Sequence, residues 1–261
     1  MKKSIDITTT ATLRPDVLEK TYASFWEHIF SQYDYDYRLI INVDPIGDNV
    51  YSQEDVISVA ESYFPDIVYN CPDNSSFPKA VKMVWGNSTS DYVFHLEDMW
   101  LALTHVNLDH MVHILDNYSK IASVNLHKYV LSDGAPEPNF YRYHNKQDKR
   151  LFLQIRDPLL SPGLYSGDFV RRIAKKMNNT DNPELQVWGD KKVPNDKGGS
   201  KQVRKLLSRY DYAIYAGNWK LPFWGCAIPT VNMQQGRRWK KEHGFYKENH
   251  FTPWKVVESE N

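Results

Sequence analysis

The chain predicts an α/β fold built on a mostly parallel central sheet flanked by helices. Three observations predict it. Strand-like and helix-like segments alternate through the first hundred residues, which is the signature of a right-handed, doubly wound sheet. Tyr92, Val93, Phe94 and Leu96 form an apolar run of the kind that sits inside a parallel sheet, covered on both faces. The length, 261 residues without a long apolar stretch, suits one large domain with a full core.

The elements follow in order. Residues 4–9 read as the first strand. Pro15 then opens a helix at its first turn, where a missing N–H costs little. Val17, Leu18, Thr21, Tyr22, Phe25, Trp26, Ile29 and Phe30 recur at helical spacing on one apolar face. Residues 38–43 (RLIINV) are a second strand that ends at Asp44-Pro45-Ile46-Gly47. A second helix spans Gln53–Tyr63 and is stopped by Pro65. Residues 67–69 make a short third strand, and residues 78–87 a third helix with Ala80, Val81, Val84 and Trp85 on its inner side. The next segment, residues 91–100, reads DYVFHLEDMW: an apolar strand that ends abruptly in Glu97 and Asp98.

Beyond this point a helix is predicted over 104–118, a strand over 121–126, a loop rich in Pro, Gly and Asp over 131–141, and a strand over 150–155. Residues 160–165 read as turn-rich and 168–177 as a helix. A polar stretch covers 178–183, and a basic helix covers 200–210 after Gly198-Gly199. The tail, 225–254, mixes Arg, Lys, His and Trp. No internal repeat or low-complexity segment is present.

Formal charge is zero overall but unevenly spread. Residues 1–116 hold 7 Lys+Arg against 18 Asp+Glu, a charge of −11; residues 117–261 hold 25 against 14, a charge of +11. The split suggests a basic face for a polyanion or a diphosphate leaving group, or simply a solvated surface. It also marks two halves, 1–116 and 117–261, the second with a basic C-terminal segment. The expected protein is soluble and cytoplasmic: Met1-Lys2-Lys3 leads straight into a strand, and no stretch approaches the roughly 18 apolar residues of a membrane span. Cys71 and Cys226 are far apart and outside any metal-ligand pattern, so they read as free thiols of a reducing compartment. No GxGxxG follows the first strand, which argues against a dehydrogenase-type dinucleotide site, and no Walker-type glycine loop is present.

The acidic strand end carries the chemistry. In open α/β sheets ligands bind beyond the carboxyl ends of the strands. Two acids there can hold a divalent cation against a phosphate, or take a proton from an attacking hydroxyl. His95 lies two residues before Glu97, so strand alternation puts both on one side. Such a His–acid pair either tunes the site or is a satisfied buried contact.

Four blocks resemble nucleotide-sugar glycosyltransferases of the A-type (GT-A) fold, including bacterial and phage members. Residues 8–15 (TTTATLRP) are similar to the nucleotide-binding opening of that class; Asp44 stands where such enzymes place an acid near the nucleobase or ribose. Residues 77–100 (FPKAVKMVWGNSTSDYVFHLEDMW) resemble the helix, strand and acidic motif of the donor site, and residues 235–247 (QGRRWKKEHGFYK) a Gly-Arg-x-Trp segment near the end of some members. The resemblance implies a single GT-A-like domain with a Rossmann-like N-terminal half, in which residues 1–116 bind a nucleotide-sugar donor and residues 117–261 an acceptor. It also implies a nucleotide-sugar donor bound by Thr8, Thr9, Thr10, Arg14, Asp44, Lys79, Glu97, Arg237, Arg238 and Trp239. Thr12 is a further hydroxyl at the same opening. Relatives commonly read Glu-Asp-Asp-Trp, whereas Met99 holds the third place here. The expected Mg²⁺ or Mn²⁺ is therefore bound by Glu97 and Asp98 in some other way, or not at all.

Loss of the diphosphate calls for positive charge, from that cation or from Arg237, Arg238, Lys240, Lys241 and His243. An inverting reaction needs a base: Asp98 and Glu184 are the candidates, ahead of Asp181 and Asp168. Glu184 fits equally well as a helix-start acid. Trp188, Lys240 and Lys241 are expected on the acceptor side, among the aromatic residues Trp219, Trp224, Trp239 and Trp254. Phage relatives that glycosylate hydroxymethylated pyrimidines make DNA an expected acceptor polymer, its base flipped to reach the sugar. A cell-surface glycan is the rival acceptor. A non-catalytic nucleotide- or nucleic-acid-binding module, or a phosphotransferase, is the rival class.

Overall fold

A computed structural model of the chain describes residues 2–126, 128–132, 135–138, 143–148, 152–155, 160–187, 201–215, 230–232, 245–246 and 255–256. The alternation expected over the first hundred residues is present: β1 (Ser4–Leu13), α1 (Pro15–His28), β2 (Asp36–Gly47), α2 (Gln53–Tyr63), β3 (Ile67–Asn70), α3 (Phe77–Gly86) and β4 (Tyr92–His95). A short strand β5 (Trp100–Ala102), helix α4 (Leu108–Asn117) and strand β6 (Ile121–Asn125) follow. Further along come β7 (Lys128–Ser132), β8 (Ala135–Pro138), β9 (Tyr143–Asp148), β10 (Phe152–Ile155), β11 (Gly163–Ser166), α5 (Gly167–Lys176), α6 (Pro183–Val187), α7 (Lys201–Leu207), β12 (Asp211–Tyr215) and β13 (Thr230–Asn232). The described residues close with the paired strands β14 (Phe245–Tyr246) and β15 (Lys255–Val256).

Nine strands form the main sheet in the order β3-β2-β1-β4-β11-β6-β12-β10-β9. Strands β3, β2, β1 and β4 run parallel, as do β6 and β12; β11 runs against both of its neighbours, and β10 against β12 and β9. A second sheet, β5-β13-β7-β8, is built on the strand that leaves the acidic turn. The sheet crosses the expected boundary at residue 116 without a break, so the two halves share one core layer.

Alternating side chains feed two cores, one on each face. Ile5, Ile7, Leu39, Ile41, Val43 and Phe94 pack against Leu18, Tyr22 and Phe25 of α1, Val56 and Ala60 of α2, and Met111 of α4. Ile40, Val93, Tyr165, Tyr212 and Ile214 pack on the opposite face against Val81, Val84 and Trp85 of α3, Phe169 and Ile173 of α5, and Val203 of α7. Helix α2 is opened by a capping box, in which Ser52 and Asp55 each accept from the other's backbone N–H.

Three readings need correction. Residues 131–141 are not simply loop: β7 and β8 pair there, and Pro136 and Pro138 are tolerated because β8 is an edge strand. The turn-rich segment 160–165 runs into β11, the strand that joins the two halves of the sheet. Its Ser-Pro-Gly opening looks like a turn because close packing requires glycine: a Cβ on Gly163 would lie 2.7 Å from the Asn125 Cα and 2.8 Å from the Val124 carbonyl oxygen. Finally, β1 does not end at Thr9 but continues to Leu13, which pairs with Gly47. Gly47 has φ +155° and meets Leu13 so closely that any Cβ would clash, which pins the carboxyl end of β2 against that of β1.

Candidate active site

The carboxyl ends of β1, β2, β3 and β4 lie side by side on one edge of the sheet, where the order of the strands places a ligand. The pairing of β1 with β2 is interrupted there. Ala11 pairs with Val43 and Leu13 with Gly47, leaving Thr12 opposite Asp44-Pro45-Ile46. This irregularity turns Thr12 out of the ladder, and its backbone N–H donates to the carboxylate of Asp98 instead.

Asp98 is the anchor of the edge. It is only 4% exposed. Its Oδ2 accepts from the Thr12 N–H and hydroxyl, each at 3.1 Å, and both carboxylate oxygens take the Arg14 Nη2 at 2.9 Å. Arg14 Nε donates in turn to the Thr12 hydroxyl at 2.8 Å. The result is a buried ion pair, with side chains 3% and 6% exposed, that ties the end of β1 to the turn after β4. The expectation that Asp98 takes a proton from an acceptor, or holds a cation, meets a carboxylate whose lone pairs are directed at Thr12 and Arg14. Arg14, 3% exposed, is drawn into the protein by the same pair.

Glu97 is the acid of the pair that keeps contact with solvent. Its Oε2 accepts from the indole N–H of Trp100 at 3.1 Å, which orients the side chain toward the α1 face of the sheet. His95 goes the other way. Strand β4 ends at His95, so period-two alternation does not carry on to Glu97, and the imidazole points into the core on the α3 face. Trp85 Nε1 donates to His95 Nδ1 at 3.3 Å and the Thr8 hydroxyl lies 3.0 Å from the same atom. An accepting Nδ1 requires the neutral tautomer with its proton on Nε2. Burial lowers the His95 pKa to about 4, which keeps the ring neutral.

The remaining donor candidates separate by depth. Thr8 and Thr9 have no exposed surface and are interior residues of β1; Thr10, at 9%, is nearer the edge. Asp44 reaches the edge but is held by neighbours: it accepts from Asn42 Nδ2 at 2.8 Å, the Ser75 hydroxyl at 3.2 Å and the Ser76 N–H at 3.1 Å. Asn70 extends this row by donating to Asn42 Oδ1 at 2.6 Å. Asp44 therefore fixes the entry to α3, where Lys79 is exposed in the first turn. Glu184 is exposed at the start of α6, in the helical layer against α3 and α7. Asp168 pairs with Arg172 and Asp181 accepts from Asn178. Trp188, Arg237, Arg238, Trp239, Lys240, Lys241 and His243 lie outside the described residues.

Sequence reasoning missed the partners rather than the edge. Thr12 was one hydroxyl among several, and Asn42, Asn70, Ser75, Ser76 and Trp100 were not singled out. Their signal is conformational, because each is recruited by a neighbouring strand end. For a cation the donor set is thin. Asp98 is spent on Arg14, the Met99 side chain offers no oxygen, and the described residues contain no group of three or more His, Cys, Asp or Glu that could hold a metal.

No protein-family model matches the chain, and no curated protein matches it. Solved structures do. S. aureus TarS 1–349 superposes with a TM-score of 0.54 at 7% identity, over 89% of this chain and 61% of that one. The same segment in complex with UDP-GlcNAc gives a TM-score of 0.50 at 7% identity, over 81% and 55%. The chain thus spans less than two thirds of that segment. The likeness is one of fold: a GT-A-like, Rossmann-type α/β architecture.

Proposed function

We propose that the chain is a glycosyltransferase that moves a sugar from a nucleotide-sugar donor to a hydroxyl acceptor. The observation that carries this reading is the acidic turn at the carboxyl end of β4, with Glu97 half-buried and braced by Trp100 while Arg14 and Thr12 fix Asp98 beneath it. The fold shared with TarS bound to UDP-GlcNAc supports a nucleotide sugar as donor, and a UDP sugar as the first to test. In the reaction the bond from the anomeric carbon to the diphosphate breaks and a bond to the acceptor oxygen forms. The nucleoside diphosphate leaves, and the acceptor proton passes to a base. In this reading Glu97, rather than the Arg14-paired Asp98, is the carboxylate that faces the substrates.

For the acceptor, the proposal is a 5-hydroxymethylpyrimidine in DNA. The charge of +11 on residues 117–261 supports a polyanionic partner. The test is a panel of nucleotide sugars incubated with the chain, first alone and then with hydroxymethylated DNA. The expected result is slow release of nucleoside diphosphate without acceptor and labelled sugar on the DNA with it. Binding of that DNA should weaken steeply as salt rises. Labelling of a glycan in place of DNA would move the acceptor. Release of no nucleoside diphosphate from any donor would leave a binding module, not an enzyme.

A further inference from the structure

We propose that the acidic turn works without a divalent cation, because Arg14 already occupies the acid that a cation would need. The substrate side of this inference rests on the glycosyl-transfer reading; the metal side does not. Mg²⁺ asks for near-octahedral oxygen ligands and Mn²⁺ favours the same hard donors. Of the two acids on offer, Asp98 has three donors on Oδ2 and the guanidinium across both oxygens. A dication on the open side of Oδ1 would sit against that guanidinium in a buried place, where like charges are poorly screened. Displacing Arg14 instead would strand a buried positive charge without its carboxylate. Glu97 shares Oε2 with the Trp100 indole, and Met99 closes the third position with a thioether. In place of the cation, the first turn of α3 brings the exposed Lys79 to an edge that Asp44 ties to β2. Among the described residues Lys79 is a cation open to a diphosphate there, and the basic residues of the second half add to the charge that the sequence supplies.

The experiment is a Mn²⁺ titration of the whole chain followed by the electron paramagnetic resonance of the free ion, with Glu97→Gln as the comparison. The expected result is that wild type and Glu97→Gln remove the same amount of Mn²⁺, so that any bound ion sits elsewhere. Arg14→Gln, which uncovers Asp98, should gain a site. A stoichiometric site in the wild type that is lost in Glu97→Gln overturns the proposal. In parallel, UDP affinity is measured by calorimetry in EDTA and in Mn²⁺. A change below about threefold agrees with the proposal, and a larger gain in Mn²⁺ overturns it. Failure of UDP and other nucleoside diphosphates to bind in either buffer counts against the donor reading, while the Mn²⁺ titration still decides the metal question.

Discussion

Arg14 and Asp98 stand 84 positions apart in the chain and meet as a buried pair. Removing one member leaves the other charged and without its partner, which costs about 3–5 kcal/mol, whereas replacing both with apolar residues of similar size is often close to neutral. Urea unfolding should therefore show Arg14→Met and Asp98→Leu each strongly destabilised, and the double variant recovering most of the loss. If the double variant is as unstable as the sum of the two, the pair is not the unit described here. The same pair marks how far the sequence could be read. An apolar strand ending in two acids announces the ligand edge of a sheet. Which acid faces the ligand depends on Thr12 and Arg14, brought alongside by β1–β4 pairing, and no local pattern encodes that. The burial of Thr8 and Thr9 was hidden for a related reason. Their hydroxyls look like ligand donors in a linear string, but the strand that carries them lies between two others and is covered on both faces.

Helix α2 was readable to the residue because its signals are local: Ser52 caps it, Asp55 completes the box, and Pro65 follows its end. Strand β11 was not, because nothing within 160–166 says that it will lie between β4 and β6. Only the whole sheet makes Gly163 obligatory, by bringing the Asn125 Cα and the Val124 carbonyl to within contact of its missing side chain. Gly163→Ala must push β6 aside. Overpacking of this kind costs about 1–3 kcal/mol, and since the obstruction is backbone rather than a flexible side chain, the upper part of that range is expected. Thermal unfolding reads the effect. A variant as stable as wild type would mean that β6 and β11 do not approach as described.

Two buried groups give the molecule a graded response to acid. The His95 pKa falls from 6.5 to about 4 on folding because burial penalises the imidazolium. The unfolded chain takes up a proton below pH 6.5 that the folded protein refuses, so this contribution is complete above about pH 6.5 and is lost as pH falls toward 4. A shift of that size is worth on the order of 3 kcal/mol. Asp6 acts lower. Burial alone would raise its pKa, but Arg38, Ser90 and the Thr89 and Ser90 N–H groups outweigh that and lower it. Its contribution is present above the ordinary carboxylate range and disappears as pH drops below it. Chemical denaturation between pH 7.5 and 4.5 should show a decline that His95→Gln flattens; parallel curves for the two proteins would refute the assignment. The sheet itself follows an order that the chain does not. Residues 163–166 complete the middle of a layer whose flanking strands, 92–95 and 121–125, were made much earlier. During synthesis β4 must wait, with Val93 and Phe94 beside an unfilled hydrogen-bonding edge, until some seventy more residues have left the ribosome. Nascent chains stalled before β11 should be sticky and dependent on chaperones, because β4 and β6 then lack the strand that lies between them.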